Sequence, residues 1–113
     1  MAQPLLDGMT LQYLYPDGGR VKLTLADGKL AYRWLAGPFE GVEESGLVYN
    51  ARRTASGDYI VNWHDTQNHN FATLTISLDH GRVYGPAILG YTGKDPMTLF
   101  EEASIEMSNR EDG

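Results

Sequence analysis

Two short alternating runs place polar and aromatic side chains where they could meet a ligand. Tyr13 and Tyr15 are two residues apart, and so are Trp63 and Asp65 at the end of the run 59–65. Residues two apart share one face of a β-strand, so each pair points the same way. If both faces look into one cavity, phenols and a carboxylate converge among aromatic rings. Phenols can donate charge-assisted hydrogen bonds to a carboxylate, and a carboxyl in an apolar cavity can act as a general acid or base.

The same residues also have purely structural interpretations. Tyr13 and Tyr15 could line a core and reach backbone groups with their hydroxyls, because Tyr is common in strands. Asp65 could cap the turn at residues 66–68, since Asp is favoured at such positions. The residues by themselves leave both interpretations open.

The elements that must position these side chains are strands. Eight runs with alternating apolar residues span residues 9–15, 20–25, 29–35, 46–53, 58–65, 70–78, 82–91 and 98–108. Gly-containing turns separate them, and Asp27-Gly28 is a strong hairpin signal. This pattern predicts an all-β fold, a small eight-stranded antiparallel up-and-down barrel of the lipocalin-like type, large enough inside for one small ligand. A β-sandwich is the competing architecture.

The alternation also predicts which side chains face inward. The predicted inward set is Leu11, Tyr13, Val21, Leu23, Tyr32, Trp34, Val61, Trp63, Leu74 and Ile76. The last run is ambiguous, because Asp95 and Pro96 could begin a helix. Leu99, Ala103 and Ile105 are separated by even numbers of residues, so a strand would put these apolar side chains on one face. This spacing favours a strand.

Composition narrows the class of protein. The 113 residues suit one domain over 1–113, and 42% are hydrophobic. The net charge is -6 with no basic stripe, so neither nucleic acid nor a membrane is an expected partner. The chain has no Cys, which excludes disulfides and thiolate chemistry. The first residues have no basic n-region, so we expect no signal peptide and a cytoplasmic location.

The three histidines do not form a metal-binding pattern. His64 and Asp65 are neighbours in a strand, so they point to opposite faces, and no spacing matches a zinc site. We therefore predict no metal and no other cofactor. His69 could still border the barrel mouth as a hydrogen-bonding group, beside Tyr32, Trp34 and Trp63 as substrate-binding residues.

Several segments resemble the phenolic acid decarboxylases and, more loosely, the MoaF-like proteins that share their small lipocalin-type barrel. The resemblance lies in residues 8–15, 32–33, 57–65, 98–100 and 104–111, with similar spacing between them. It covers most of the chain, although each motif is short.

The resemblance implies roles for three residues. A Tyr-x-Tyr pair that holds the substrate carboxylate in the family matches Tyr13 and Tyr15, and the family's acid–base Glu matches Asp65, one methylene shorter. The loop 37–43 contains no counterpart of the family's Arg. The resemblance also implies a homodimer.

These observations leave two main hypotheses about function. The first is a cofactor-free lyase that acts on a small aromatic or conjugated carboxylic acid, with decarboxylation of a 4-hydroxycinnamate-like acid implied by the resemblance. A related isomerase or cyclase would use the same residues. The second is a non-catalytic lipocalin-like protein that binds a small molecule. A completely filled interior would instead indicate an interaction module.

Overall fold

Eight antiparallel strands close into a barrel in the computed structural model of the protein, which describes residues 6–109. The strands are β1 (Thr10–Leu14), β2 (Arg20–Ala26), β3 (Lys29–Ala36), β4 (Glu43–Arg53), β5 (Tyr59–Asp65), β6 (Asn70–Ser77), β7 (Arg82–Leu89) and β8 (Met97–Ser108). Each strand pairs with the next in the chain, and β8 returns to pair with β1. The predicted up-and-down barrel is confirmed, and the last segment is a strand rather than a helix.

The alternation of the sequence produces the core. In β5, Tyr59, Val61, Trp63 and Asp65 are buried while Ile60 and His64 are exposed. All ten side chains of the predicted inward set are buried or partly buried, with Tyr32 and Trp34 the two partly buried members. Parity within each strand therefore predicted the inner face correctly.

One end of the barrel is filled and closed. The segment before β1 places Leu6 and Met9 in the core, each no more than 2% exposed. Tyr49 Oη donates to the Asp7 carboxylate at 2.7 Å and accepts from the Leu6 N–H at 3.2 Å. Asp7 also accepts from the Gly28 N–H at 3.0 Å, which ties this segment to the β2–β3 turn. Among residues 6–109, the cavity described below lies toward the opposite end, where the β1–β2, β3–β4, β5–β6 and β7–β8 loops are.

A bulge in β4 changes which residues face inward near that open end. Leu30 pairs with Leu47, but Tyr32 pairs with Glu44, so two steps along β3 match three along β4. Gly46 takes a φ of 71°, a left-handed value that glycine tolerates. As a result β4 begins three residues earlier than predicted, and Glu44 is less exposed than its neighbours Glu43 and Ser45.

The outer surface of β6, β7 and β8 carries several apolar side chains. Phe100 is 80% exposed and lies opposite Pro86, and Phe71 lies opposite Ile88. Within residues 6–109, no helix has the length and apolar character needed to cross a membrane.

Candidate functional site

The open half of the barrel contains a cavity of about 110 Å³ that is lined mainly by aromatic and aliphatic side chains. Its lining residues are Tyr13, Tyr15, Val21, Tyr32, Trp34, Phe39, Val42, Trp63, Asn70, Ala72, Leu74, Gly85, Ala87, Leu89 and Leu99. The volume is slightly below that of an engineered apolar cavity that takes benzene, about 150 Å³. The interior is therefore incompletely filled, and the enclosed part is on the scale of one ring.

Tyr13 and Tyr15 lie together in this cavity. Their rings meet edge to face with centroids 5.6 Å apart, and their hydroxyls share a hydrogen bond. Tyr15 stacks on Trp34 with centroids 5.8 Å apart and 18° between planes. The Trp34 ring in turn contacts the ring of Phe39 in the β3–β4 loop, with centroids 5.0 Å apart. These contacts fix both phenols on one wall, with their polar atoms inside an aromatic enclosure.

Both phenols are held in the protonated form. Burial, followed by the adjacent Tyr15, raises the pKa of Tyr13 well above its ordinary value of 10.0. Burial also raises the pKa of Tyr15 to about 12; the hydrogen bond from Tyr13 opposes this rise, and the charges of Asp17 and Glu101 add to it. At neutral pH these two side chains are uncharged hydrogen-bond donors.

Tyr32 and Trp63 form a second pair of lining rings, with centroids 6.1 Å apart. Burial raises the pKa of Tyr32 to about 12, with further contributions from the negative charges of Glu44 and Asp65. A third neutral phenol therefore lines the cavity. The structure thus brings Tyr13, Tyr15, Tyr32, Trp34 and Trp63 together, as the sequence pattern predicted.

Asp65 lies beside this group but is not among the side chains that line the cavity. It is 4% exposed, and both of its carboxylate oxygens bind Asn68. Oδ1 accepts from the Asn68 backbone N–H at 3.1 Å, and Oδ2 accepts from Asn68 Nδ2 at 2.8 Å. These bonds are those of a turn cap, while the charge of Asp65 still acts on the phenol of Tyr32.

Glu44 is a second carboxylate at this position that parity alone did not reveal. Its Oε1 accepts a hydrogen bond from Asn68 Nδ2 at 2.8 Å, so one amide nitrogen bridges Glu44 and Asp65. The sequence signal was Gly46, because an isolated glycine within a strand pattern indicates a bulge. A bulge moves each residue that precedes it in the strand to the face opposite the one that strict alternation predicts.

His69 lies at the barrel mouth but outside the cavity lining. It occupies the turn between β5 and β6 with a φ of 57°, and its exposed ring contacts Tyr91 with centroids 5.6 Å apart. His64 points outward and forms a hydrogen bond with the Tyr91 hydroxyl. Thus His64 and Asp65 face opposite sides of β5. Residues 6–109 contain no group of three or more His, Asp or Glu side chains placed to hold a metal ion.

Gly85 and Asn70 also shape the cavity, although sequence reasoning did not single them out. A Cβ atom on Gly85 would lie 2.9 Å from Tyr15 Oη and 2.8 Å from Leu74 Cδ2. Asn70 Oδ1 accepts from the Gly90 N–H at 2.9 Å, so its Nδ2 group is oriented as a donor. Gly85 therefore provides the space that the Tyr15 hydroxyl occupies.

Comparisons with known proteins support the fold. No protein-family model matches the chain, and no curated protein is similar in sequence. A solved structure from Burkholderia vietnamiensis, described as a "putative beta-lactamase", has a TM-score of 0.78 and 15% sequence identity. The match covers 94% of this chain and 98% of that one. At this identity the likeness concerns the barrel fold alone, and the resemblance to phenolic acid decarboxylases stays a prediction.

Proposed function

We propose that this protein takes a small aromatic or conjugated carbonyl compound, an acid or a ketone, into its barrel. The observation that carries the proposal is the pair of hydrogen-bonded phenols, Tyr13 and Tyr15, on the wall of an otherwise apolar aromatic cavity. Ligand sites typically combine such an apolar lining with a few convergent polar groups. Because Tyr13 donates its proton to Tyr15, the Tyr15 hydroxyl is the group that would donate to the ligand's carbonyl or carboxyl oxygen, and Tyr13 would hold and polarise it.

The ring of the ligand has aromatic surfaces to pack against. The Trp34 ring stacks on Tyr15 and contacts Phe39, and the Trp63 ring contacts Tyr32. Aromatic rings gain about 0.5–1.5 kcal/mol per well-oriented pair beyond the area they bury. A flat conjugated ligand between these walls is therefore favoured over a flexible aliphatic one of the same size.

A cofactor-free lyase is the second candidate function, and the position of Asp65 favours it. Asp65 is buried at the edge of the cavity, and its charge acts on the Tyr32 phenol, which lines it. By resemblance, the reaction would be decarboxylation of a 4-hydroxycinnamate-like acid. A carboxylate takes the phenol proton of the ligand, and protonation of the side-chain carbon gives a quinone methide. Loss of carbon dioxide then leaves the vinylphenolate, which takes a proton back on its oxygen.

One experiment separates the two functions. The protein would be incubated with a panel of hydroxycinnamates, hydroxybenzoates and aryl ketones, with binding followed by Trp fluorescence and turnover by ultraviolet absorbance. Binding without turnover supports the small-molecule binding protein. Turnover that is lost in Asp65→Asn, with binding retained, supports the lyase. Absence of binding by every compound in the panel would refute the proposal.

The other expectations from the sequence stay predictions. They include the homodimer, the cytoplasmic location and the absence of nucleic-acid and membrane partners. The activity in the Burkholderia protein's description belongs to that protein, since at 15% identity the likeness concerns the fold alone.

A further inference from the structure

The cavity contains no formal charge. None of its lining residues, among those that the structure describes, is a Lys, Arg, His, Asp or Glu. A carboxylate that entered this space would lose its hydration without gaining a cationic partner. Burial of an unpaired carboxylate costs far more than burial of a neutral carbonyl that accepts a hydrogen bond.

The polar atoms of the cavity are mostly neutral donors. Tyr13, Tyr15 and Tyr32 offer hydroxyls, and the indole N–H groups of Trp34 and Trp63 belong to lining residues. Neutral donors satisfy the oxygen of a ketone or an amide completely. They compensate a full negative charge only in part, because a charge-assisted bond from a phenol does not replace a paired cation.

The charged groups that raise the pKa values of Tyr15 and Tyr32 are all carboxylates. On the side of Tyr15, the charges that raise its pKa are those of Asp17, from the β1–β2 loop, and Glu101, from β8. On the side of Tyr32 they are those of Glu44 and Asp65, from β4 and β5.

Since the charged groups that raise the pKa of these two phenols are carboxylates, they repel a negative charge placed at the hydroxyls. The chain as a whole adds to this, with a net charge of -6. A ligand anion is repelled where it would have to bind.

We infer that the cavity selects an uncharged conjugated carbonyl compound, such as an aryl ketone or amide, over the carboxylate anion of the same shape. This inference rests on the proposed function, since the hydrogen-bonded pair of Tyr13 and Tyr15 is taken as the donor to the ligand's oxygen. It narrows the substrate class. Acids bind more tightly in their neutral, protonated form than as anions, and compounds that carry no ionisable carboxyl are preferred at neutral pH.

A matched pair of ligands tests the inference. 4-Hydroxyacetophenone and 4-hydroxybenzoate share a phenol ring and a carbonyl group. The ketone has a methyl group where the benzoate has a charged oxygen. Calorimetric titration of the intact chain at pH 7 should give at least tenfold tighter binding of the ketone. As the pH is lowered toward 5, the affinity for the benzoate should rise by up to about tenfold per unit, since its neutral form binds much more tightly than its anion, while that for the ketone stays constant.

Two variants test the role of the surrounding carboxylates. Glu44→Gln combined with Glu101→Gln removes one negative charge from each side of the cavity, and should tighten benzoate binding several-fold at pH 7 without changing ketone binding. Asp79→Asn removes the same type of charge from the β6–β7 turn, at the closed end, and should change neither affinity.

Each contrary result has a distinct meaning. Benzoate binding as tight as or tighter than ketone binding at pH 7 would overturn the inference and leave the proposed ligand site in place. An unchanged benzoate affinity in the double Glu→Gln variant would contradict the electrostatic reason given for it. If neither compound bound at any pH, both the inference and the proposed function would be wrong.

Discussion

Gly85 lies so close to the Tyr15 side chain that a methyl group on Gly85 would be 2.9 Å from the Tyr15 hydroxyl oxygen. It would also lie 2.8 Å from Leu74 Cδ2. Contacts this short force one of the neighbours to move. The small residue on β7 is therefore what allows the Tyr15 phenol, just after β1, to project into the cavity.

We predict that Gly85→Ala destabilises the protein and weakens ligand binding, because it displaces Tyr15 or Leu74. Overpacking of this kind costs about 1–3 kcal/mol. Tyr15→Phe removes the atom that clashes, so the double variant should lose less stability than the sum of the two single variants. Chemical denaturation of the four proteins measures this coupling. Strict additivity would show that Tyr15 is not the group that Gly85 accommodates.

We predict that replacing both phenols, Tyr13→Phe with Tyr15→Phe, weakens ligand binding while the barrel still folds. A hydrogen bond to a neutral oxygen contributes about 0.5–1.5 kcal/mol, so each hydroxyl should account for roughly a two- to tenfold change in Kd. Titration with 4-hydroxyacetophenone measures the loss. Tyr84→Phe is the matched control, since Tyr84 is 42% exposed on β7 and does not line the cavity. Equal affinities in the double variant and the parent would make the two tyrosines core residues only.

Strand parity was sufficient to predict much of this site. It placed Tyr13, Tyr15, Trp34 and Trp63 on inner faces, and closure of an eight-stranded barrel then brought them together. It worked because β1 and β5 alternate without interruption between their ends, and because Tyr32 and Trp34 keep the inward positions of β3. The side-chain period of a strand is two, so a regular strand assigns every residue to a face.

The parts that could not be predicted depend on local irregularity and on pairs distant in sequence. Strict alternation along β4 would place Glu44 on the outer face. The extra residue of the bulge at Gly46 moves Glu44 to the inner face. The fit of Gly85 to Tyr15 joins a residue on β7 to the residue that follows β1, and a single sequence does not relate the two. For Asp65, the sequence was compatible with two interpretations, a cap of the following turn and a side chain in the cavity. The hydrogen bonds with Asn68 are those of a cap.

We predict that Asp65→Ala lowers the free energy of unfolding by about 1–3 kcal/mol, because it removes the acceptor for both Asn68 donors and leaves them without that partner. Asn68→Ala removes only the side-chain donor and should cost less. The double variant should be less destabilised than the two losses added, since the residues share a hydrogen bond. Urea denaturation measures all three, with Asp79→Ala as an exposed control. A stability equal to that of the parent would exclude the cap as a structural element.

We predict that the phenols of the cavity make the protein less stable as the pH rises above 10. In the unfolded chain Tyr ionises near pH 10, whereas in the folded protein the pKa of Tyr15 and of Tyr32 is about 12. Between these values the unfolded chain has released protons that the folded protein still holds, so the unfolded state binds fewer protons and stability falls with rising pH.

The decrease due to Tyr15 has a maximum slope of about 1.4 kcal/mol per pH unit. Below pH 10 both states are protonated and no loss occurs. Denaturation at a series of pH values measures the slope, and phenolate absorbance of the folded protein follows the ionisation itself. Tyr15→Phe should make the slope shallower, because one late-ionising group is removed. If that variant lost stability with pH as steeply as the parent, the raised pKa of Tyr15 would not be the cause.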